Sequence, residues 1–383
     1  TDVACNVSAS YAPQAKIPIA LSSDGILSVS TGAPDTDQTF KWFKDGILVA
    51  TTQSSKLKAQ SSGLYNCQII HNSLTVANNS LRNLILQSAD TSIRISNGGR
   101  LFPKGLRACL EDDFNQLEAL YDSTGGKNWS SNTNWLIDPN LANWFGIMLT
   151  KDSCDIRSIE LINNSLVGAI PNLNLPNLKS LYLDFNTLSG SIPNLSLCTS
   201  LSELSLSRNK LMGSISNFAQ TQNLASLTII NFSDNFLSGT MPNLNLPNLT
   251  KLLLGTNNLS GNLSSLTLPS LTTLQLNNNK LTGNIPDFNF PVLEKIDLSS
   301  NQFSTVSSPF LSQSVKLTTV LLNNNLITSS IPNFAQPNLT DLELTSNKFT
   351  GSIPNFNLPN LQILSLFDNQ LTGSIPNFNL PQL

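Results

Sequence analysis

Residues whose types and spacing could do chemistry are few in this chain, and they favour binding over catalysis. His71 is the only histidine among 383 residues, and no neighbouring carboxylate and nucleophile suggest that it acts as a base. The sequence contains no Gly-rich phosphate loop, no His or Cys cluster at metal-ligand spacing and no Ser-His-acid set. Asp341 and Glu343 share one face, but two carboxylates are too few for a Ca²⁺ site. The sequence therefore predicts no enzyme, no cofactor and no metal site.

The residues best suited to contact a partner lie in the repetitive C-terminal part of the chain. They occupy positions that change from one repeat to the next, and exposed aromatic side chains beside arginine are typical of interface hot spots. Scattered apolar residues are also common on surfaces that bind nothing, so both interpretations stay open. An aromatic and charged cluster followed by a more apolar patch makes up the candidate ligand-binding residues: Tyr182, Phe185, Glu203, Arg208, Ile229 and Leu253.

The element that must position these residues is a repeat of the form LxxLxLxxNxLxG. A period this regular predicts a solenoid. In each unit the LxL segment should form a short parallel strand with inward leucines, and the asparagine should bond backbone groups that the following turn leaves unpaired. The intervening variable residues should face out from the strands. The asparagine recurs ten times, at intervals of 22 to 26 residues, as Asn164, Asn186, Asn209, Asn235, Asn257, Asn279, Asn301, Asn325, Asn347 and Asn369.

The segment after each strand has a second regular pattern. It reads LxGxIP, as in Leu281-Thr282-Gly283-Asn284-Ile285-Pro286, and resembles the consensus of plant-type leucine-rich repeat proteins. Prolines on the back of each unit exclude an α-helix there. We expect an inner stack of phenylalanines made of Phe218, Phe288, Phe334, Phe356 and Phe378.

A helix and three tryptophans precede the repeats. Leu110, Phe114, Leu117 and Tyr121 fall at helical spacing, with acidic residues at the helix start and Gly125-Gly126 as its stop. The helix and the tryptophan motifs that follow it (NW, NW and WFGI) resemble the N-terminal cap of plant-type leucine-rich repeat proteins. Such a cap covers the first open layer of a solenoid. The alternative interpretation is an aromatic ligand cage.

Residues 1–88 read as short strands without a helical period. Asp45-Gly46 predicts a tight hairpin turn. Trp42 on one strand and Tyr65-Asn66-Cys67 on a later one fit an immunoglobulin-type sandwich. The segment FKWFKDG, followed by SGLYNC, also resembles the Ig-like modules of surface and secreted proteins from Bacteroidetes-type bacteria.

The five cysteines suggest two bridges and one thiol. Cys109 and Cys154 bracket the small cap, which would gain from a disulfide. Cys5 and Cys67 are the second expected pair, although Cys5 lies before the position usual for an Ig-like disulfide. Cys198 is expected to be a buried thiol.

These patterns predict an α/β leucine-rich repeat solenoid, mostly β and irregular, behind an N-terminal β-sandwich. We divide the chain into an Ig-like domain (1–88), a linker (89–108), the cap (109–154) and about ten repeats (155–383). The last unit has no polar cap, so we expect a longer natural array or self-association through this end.

Composition limits the partners. A net charge of −3 with 12% charged residues gives no field for nucleic acid, and no apolar run is long enough to span a membrane. The leading hypothesis is a secreted or cell-surface protein whose concave face binds a protein, peptide or glycan. A structural adhesin or surface-layer spacer is the alternative. Ice binding is a minor alternative, because the exposed columns between the strand leucines are mixed.

Overall fold

The computed structural model describes residues 19–21, 26–29, 38–58, 60, 63–71, 74–76, 79–81, 84–87 and 91–93, and residues 106–383 except 217, 219–223 and 264–265. The chain divides into two compact units, Thr1–Leu106 and Arg107–Leu383.

The first unit is built from short antiparallel strands. A three-stranded sheet has the order β1-β2-β5, a five-stranded sheet has the order β10-β6-β3-β4 with β9 also on β6, and β7 pairs with β8. Because β10 pairs with β6, the sheet extends beyond residue 88. The strands are β1 (Ile19–Leu21), β2 (Ile26–Val29), β3 (Gln38–Lys44), β4 (Ile47–Thr52), β5 (Lys56–Lys58), β6 (Gly63–His71), β7 (Leu74–Val76), β8 (Asn79–Leu81), β9 (Leu84–Gln87) and β10 (Thr91–Ile93).

The three-stranded and five-stranded sheets of the first unit contribute to one apolar core. Trp42 lies directly opposite Cys67 in the β3–β6 pair, and both side chains are buried with Leu27 and Val29 from β2. Asp45 and its following glycine have φ values of 50° and 80°, so the predicted hairpin turn is confirmed. The expected Cys5–Cys67 disulfide lies outside the described residues because Cys5 does.

The second unit begins with the predicted helix. A 3₁₀ turn at Ala108–Leu110 leads into α1 (Glu111–Ser123), which buries Phe114, Leu117 and Leu120. Gly125 has a φ of 72°, a left-handed conformation that suits a residue without a Cβ atom after a helix. Two further 3₁₀ turns cover Gly126–Asn128 and Leu141–Asn143.

Three tryptophans form the core of the cap. Trp129, Trp135 and Trp144 are each at most 5% exposed, with ring centroids 4.8 Å and 5.0 Å apart along the series. Their indole N–H groups donate to the backbone carbonyls of Thr124, Phe145 and Asp138. The ligand-cage interpretation is therefore wrong, because these rings present no face to solvent.

The predicted disulfide of the cap is also absent from this structure. Cys109 and Cys154 are both free thiols, and hydrogen bonding with the Cys109 side chain raises the pKa of Cys154. The Cys154 sulfur accepts a hydrogen bond from Arg107 Nη2 at 3.1 Å. The two cysteines therefore lie close together, as their positions at the two ends of the cap suggested. In this structure the cap is stabilised by hydrogen bonds and tryptophan packing, without a disulfide.

The repeats form an eleven-stranded sheet, which we name the concave sheet after the curvature expected of stacked repeats. Its first strand, β11 (Ile147–Leu149), belongs to the cap and pairs antiparallel with the first repeat strand. The ten parallel strands that follow are β12 (Ile156–Glu160), β14 (Ser180–Tyr182), β16 (Glu203–Ser205), β18 (Ile229–Asn231), β20 (Lys251–Leu253), β22 (Thr273–Gln275), β24 (Lys295–Asp297), β26 (Thr319–Leu321), β27 (Asp341–Glu343) and β29 (Ile363–Ser365). The chain is thus a mostly-β solenoid, as expected.

The asparagines form the predicted ladder between units. Asn279 Nδ2 donates to the carbonyls of Leu254, Leu276 and Asn277 at 3.0 to 3.2 Å, and its Oδ1 accepts from Leu259 N at 2.9 Å. One side chain therefore bonds the preceding unit and its own turn at the same time. The same bonds recur along the array, so each amide fixes the stacking distance of two units.

A second parallel sheet, which the sequence pattern did not predict, runs beside the first. Its seven strands are β13 (Val167–Ala169), β15 (Thr187–Gly190), β17 (Lys210–Ser214), β19 (Phe236–Thr240), β21 (Asn258–Asn262), β23 (Lys280–Ile285) and β25 (Gln302–Val306). The same face continues through a bridge between Ser330 and Thr350 and through the pair β28 (Thr350–Gly351) and β30 (Gln370–Leu371).

The expected phenylalanine stack is only partly continuous. Phe334, Phe356 and Phe378 follow one another at centroid distances of 6.2 Å and 6.0 Å. Phe310 extends this series, with its ring centroid 6.0 Å from that of Phe334. Phe218 and Phe288 instead contact Phe232 and Phe290, and leucines occupy the matching position in the two units between them. Cys198 is fully buried as predicted, and burial raises the pKa of its thiol.

The ladder predicts a large local contribution to stability. Asn279→Ala leaves three carbonyls and one N–H without a buried partner, so we expect the free energy of unfolding to fall by about 3 kcal/mol. Asn289→Ala, an exposed asparagine ten residues further on, is the matched control and should change it by less than about 0.5 kcal/mol. Urea unfolding followed by circular dichroism measures both, and equal midpoints would contradict a structural role for the ladder.

The cap predicts a pH dependence. Asp113 Oδ2 accepts from Ile156 N at 2.8 Å, and burial raises the pKa of Asp113 to about 6, with Asp155 and Asp112 adding to the effect and the Ile156 bond opposing it. A folded carboxyl with a raised pKa binds its proton more tightly than the unfolded one, so stability is lost as pH rises from 3.8 towards about 6.

Asp113→Asn keeps the acceptor oxygen and cannot ionise. We expect the variant to have a higher urea midpoint than the wild type at pH 7.5 and the same midpoint at pH 3.5. A midpoint difference that is the same at both pH values would show that the Asp113 charge does not strain the cap.

Candidate ligand-binding surface on the concave sheet

Two of the predicted residues meet across neighbouring strands. Tyr182 is the last residue of β14 and Glu203 the first of β16, and the Tyr182 hydroxyl donates a hydrogen bond to Glu203 Oε2. Both side chains are half-buried. The bond holds the phenol over the next unit and places a polar ring on the concave surface.

The other two form an exposed stack just after the strands. The Arg208 guanidinium lies 4.6 Å from the centroid of the Phe185 ring, and Arg208 Nε is 3.4 Å from Asp234 Oδ2. Phe185 is 47% exposed. Three successive units thus contribute a ring, a cation and an anion, and the open sides of the ring and the guanidinium are available to a partner.

These three residues occupy a position with an unusual backbone. The residue before each ladder asparagine is left-handed in all ten units, with φ between 50° and 57°. Asparagine tolerates this conformation best and stands there in three units, whereas a phenylalanine or arginine is strained. Stability alone does not account for Phe185 and Arg208, and the position directs their side chains away from the core.

A buried network that the sequence pattern did not predict lies beneath the stack. Asp184 Oδ1 accepts from Ser205 Oγ, Ser207 N and Ser207 Oγ at 2.5, 2.8 and 2.6 Å. The carboxylate and both serines are buried. The variable positions therefore include buried residues that support the surface and exposed residues that form it. Only the contacts between neighbouring units distinguish the two kinds of residue.

The apolar patch is looser than predicted. Ile229 pairs with Lys251, and Leu253 pairs with Asn231, so Ile229 and Leu253 are diagonal neighbours on adjacent strands. Ile229 also pairs with Glu203, which joins it to the aromatic and charged cluster. All six predicted residues therefore lie on one continuous part of the surface, spread over strands β14 to β20 and the turns after them.

An acidic region lies further along the same sheet. Burial raises the pKa of Asp341, with Lys295 opposing the effect. Burial also raises the pKa of Glu343, and the charges of Asp341 and Asp297 add to it. Among the residues that the structure describes, no group of three or more His, Cys, Asp or Glu side chains could hold a metal ion. The region is an electronegative surface without the geometry of a cation site.

Two leucine-rich repeat families match three segments of the chain. The family described as "Leucine Rich repeats (2 copies)" matches residues 269–312, and "Leucine Rich Repeat" matches residues 177–197 and 360–379. No curated protein matches the chain. No helix in the described ranges is long and apolar enough to cross a membrane.

Solved structures of plant proteins resemble the chain. A plant ice-binding protein is 26% identical with a TM-score of 0.59, covering 71% of this chain and 91% of its own. The peptide hormone receptor RGFR1, solved with RGF2, is 35% identical with a TM-score of 0.55 and covers 58% of this chain.

The LRR ectodomain of the receptor kinase GASSHO1/SCHENGEN3 from Arabidopsis thaliana, solved with CASPARIAN STRIP INTEGRITY FACTOR 2, is 31% identical with a TM-score of 0.59 and covers 64% of this chain. The matched region spans 37% and 31% of the two receptor chains. These neighbours are therefore an ice-binding protein, a peptide hormone receptor and a leucine-rich repeat ectodomain of a receptor kinase.

Proposed function

We propose that this leucine-rich repeat chain is a secreted or cell-surface binding protein that recognises a peptide or protein partner through its concave sheet. The observation that carries the proposal is the exposed Phe185–Arg208 stack, joined to Asp234 and set beside the Tyr182–Glu203 pair. Aromatic side chains and arginine are the residues that dominate binding energy in interfaces. The scaffold has no need of either residue at these strained or variable positions.

The structural neighbours support a binding role. The two receptors were solved with RGF2 and CASPARIAN STRIP INTEGRITY FACTOR 2. In this chain, the ladder and the leucines repeat in every unit while the outward residues of the concave strands differ. Such a surface can match a partner that varies along its length. A glycan is a further partner class that the hydroxyl and amide groups of the surface could bind.

The N-terminal unit fits the same role. We propose that it is an Ig-like module of the kind found in bacterial surface proteins. The pairing of Trp42 with Cys67 and the shared core of two sheets support this assignment. A module of this kind would hold the repeats away from an anchoring surface.

A structural spacer is the alternative. In that case the repeats set length and stiffness and the concave residues bind nothing. The two roles differ in what they require of the array, because recognition depends on particular side chains and spacing depends on the number of units.

Binding to ice is a second candidate function. The likeness to the plant ice-binding protein, which extends over 91% of that chain, favours it. The concave columns do not suit a regular lattice because they mix charged, polar and apolar residues. The seven-stranded second sheet, however, presents separate columns of outward side chains.

The peptide-binding proposal predicts a localised loss of binding. We expect Tyr182→Ser, Phe185→Asn and Arg208→Asn together to weaken binding at least about thirtyfold, the loss of about 2 kcal/mol typical of one hot spot. Each replacement already occurs in the same column of another unit, so the fold should be retained. An array of peptides, proteins and glycans identifies binders of the wild type, and biolayer interferometry measures their affinity for both chains.

The matched control is Leu326→Asn with Lys348→Asn, two exposed positions outside the concave sheet. It should bind like the wild type. If the triple variant keeps full binding or adhesion while removal of residues 274–295, one complete unit, weakens adhesion, the spacer role is correct and the concave site is not.

A further inference from the structure

The outward side chains of the second sheet form two uniform rows. In each unit they lie immediately before and after the position of the LxG glycine, in contrast to the mixed columns of the concave sheet. From Ser238 to Ser374 the rows contain only half-buried or exposed serine, threonine and asparagine, except at the buried Val306, which follows Thr305 in the unit where threonine replaces the glycine. We name this surface the hydroxyl–amide face; on its first three strands it consists of Ser238, Thr240, Ser260, Asn262, Thr282 and Asn284.

The glycines make this face flat. A Cβ atom added to Gly283 would lie 2.4 Å from Asn262 Oδ1, and one added to Gly261 would lie 2.8 Å from Thr240 Cγ2. In these units the residue after one glycine therefore lies over the glycine of the next unit, in space that a side chain would otherwise fill. Both glycines have φ of 79°, a conformation that glycine adopts without strain. The result is a level surface of hydroxyl, methyl and amide groups.

Hydrogen bonds between units hold these groups in place. Thr282 Oγ1 donates to Asn262 Oδ1 at 3.1 Å and Thr305 Oγ1 to Asn284 Oδ1 at 2.9 Å. Further along, Thr350 Oγ1 donates to the Thr328 carbonyl at 3.0 Å. Each bond uses one donor and leaves lone pairs open to solvent. Because the side chains are already ordered, a ligand does not bear the entropy of fixing them.

The repeat distance of the face defines the class of ligand. Neighbouring strands in a sheet are ~4.8 Å apart, so the face presents equivalent hydroxyl and amide groups at that interval along the stack. Across seven units, from the one containing Ser238 to the one containing Ser374, neither row contains a charge, and the series of hydroxyl and amide groups is interrupted once, at Val306. Lys280 and Lys348 lie in the adjacent row, at the margin. A complementary ligand must be flat, uncharged and periodic on a similar spacing.

We propose that the hydroxyl–amide face binds ice. The surface of an ice crystal is flat, uncharged and built only of hydrogen-bond donors and acceptors, and its lattice repeats at a distance close to the strand spacing. A protein partner would instead be expected to use aromatic and arginine anchors, which these two rows lack. The inference rests on the second candidate function above and adds the surface that carries it, opposite in character to the concave site.

The test measures the incorporation of the purified full chain into a slowly grown ice crystal, with serum albumin as the excluded reference. The face variant is Thr328→Lys with Thr350→Lys, which places two hydrated charges on the flat surface. We expect wild-type chain in the ice fraction and at least about a tenfold loss in the face variant, equivalent to about 1.4 kcal/mol.

The matched control is Thr199→Lys with Thr267→Lys, two exposed threonines outside both sheets; it should enter ice like the wild type, as should the Tyr182, Phe185 and Arg208 variant. Ser330→Lys with Ser352→Lys tests the second row independently, and urea midpoints verify that each variant is folded. Exclusion of the wild type from ice would overturn both the ice-binding function and this face. Entry of the wild type and of both folded face variants would leave the function standing and overturn the assignment of the face.

Discussion

The stacking of this protein depends on one interaction, the bonding of a buried asparagine amide to backbone groups of two units. A short strand followed three residues later by a left-handed residue leaves carbonyl and N–H groups that the sheet does not satisfy. A buried group of this kind is costly without a partner. Asn186 illustrates the solution, because its Nδ2 reaches the carbonyls of Leu161 and Leu183 while its Oδ1 accepts from Asn164 N and Leu166 N. Each unit is therefore completed only by its neighbour.

This constraint determines where variation is tolerated. The ladder and the inward leucines leave the concave side chains and the left-handed position free to change, provided that the residue points outward. The second sheet is more restricted, since its outward side chains must pass over a glycine of the next unit. Gly283, with the Asn262 side chain above it, shows how the room for a side chain in one unit depends on the next. One fold thereby produces a varied surface and a uniform surface on the same array.

The sequence was sufficient for the features that depend on local chemistry or on a strict period. The positive φ values of the Asp45-Gly46 turn, helix α1 and the burial of the leucines all follow from residue type and spacing. The second sheet could not be predicted in this way, because its strands are short, contain glycine and pair with residues 20 positions away in the sequence, two short of the repeat length. The pairing of Phe185 with Arg208 and the buried bonds of Asp184 also depend on the register between units. The same limit applies to Cys109 and Cys154, whose proximity followed from spacing while their bonding state did not.

The two surfaces differ in how a substitution acts on them. On the concave sheet, a few anchors such as Phe185 and Arg208 carry most of the affinity in the proposed complex. Affinity is then lost when an anchor is removed and changes little when another surface residue is replaced. On the hydroxyl–amide face, each group contributes little and the effect comes from many equivalent groups in register. Removing one hydroxyl there should matter less than introducing one bulky charge, because the charge disturbs the flatness on which its neighbours depend. The physical basis of specificity thus changes from particular side chains to periodicity within a single solenoid.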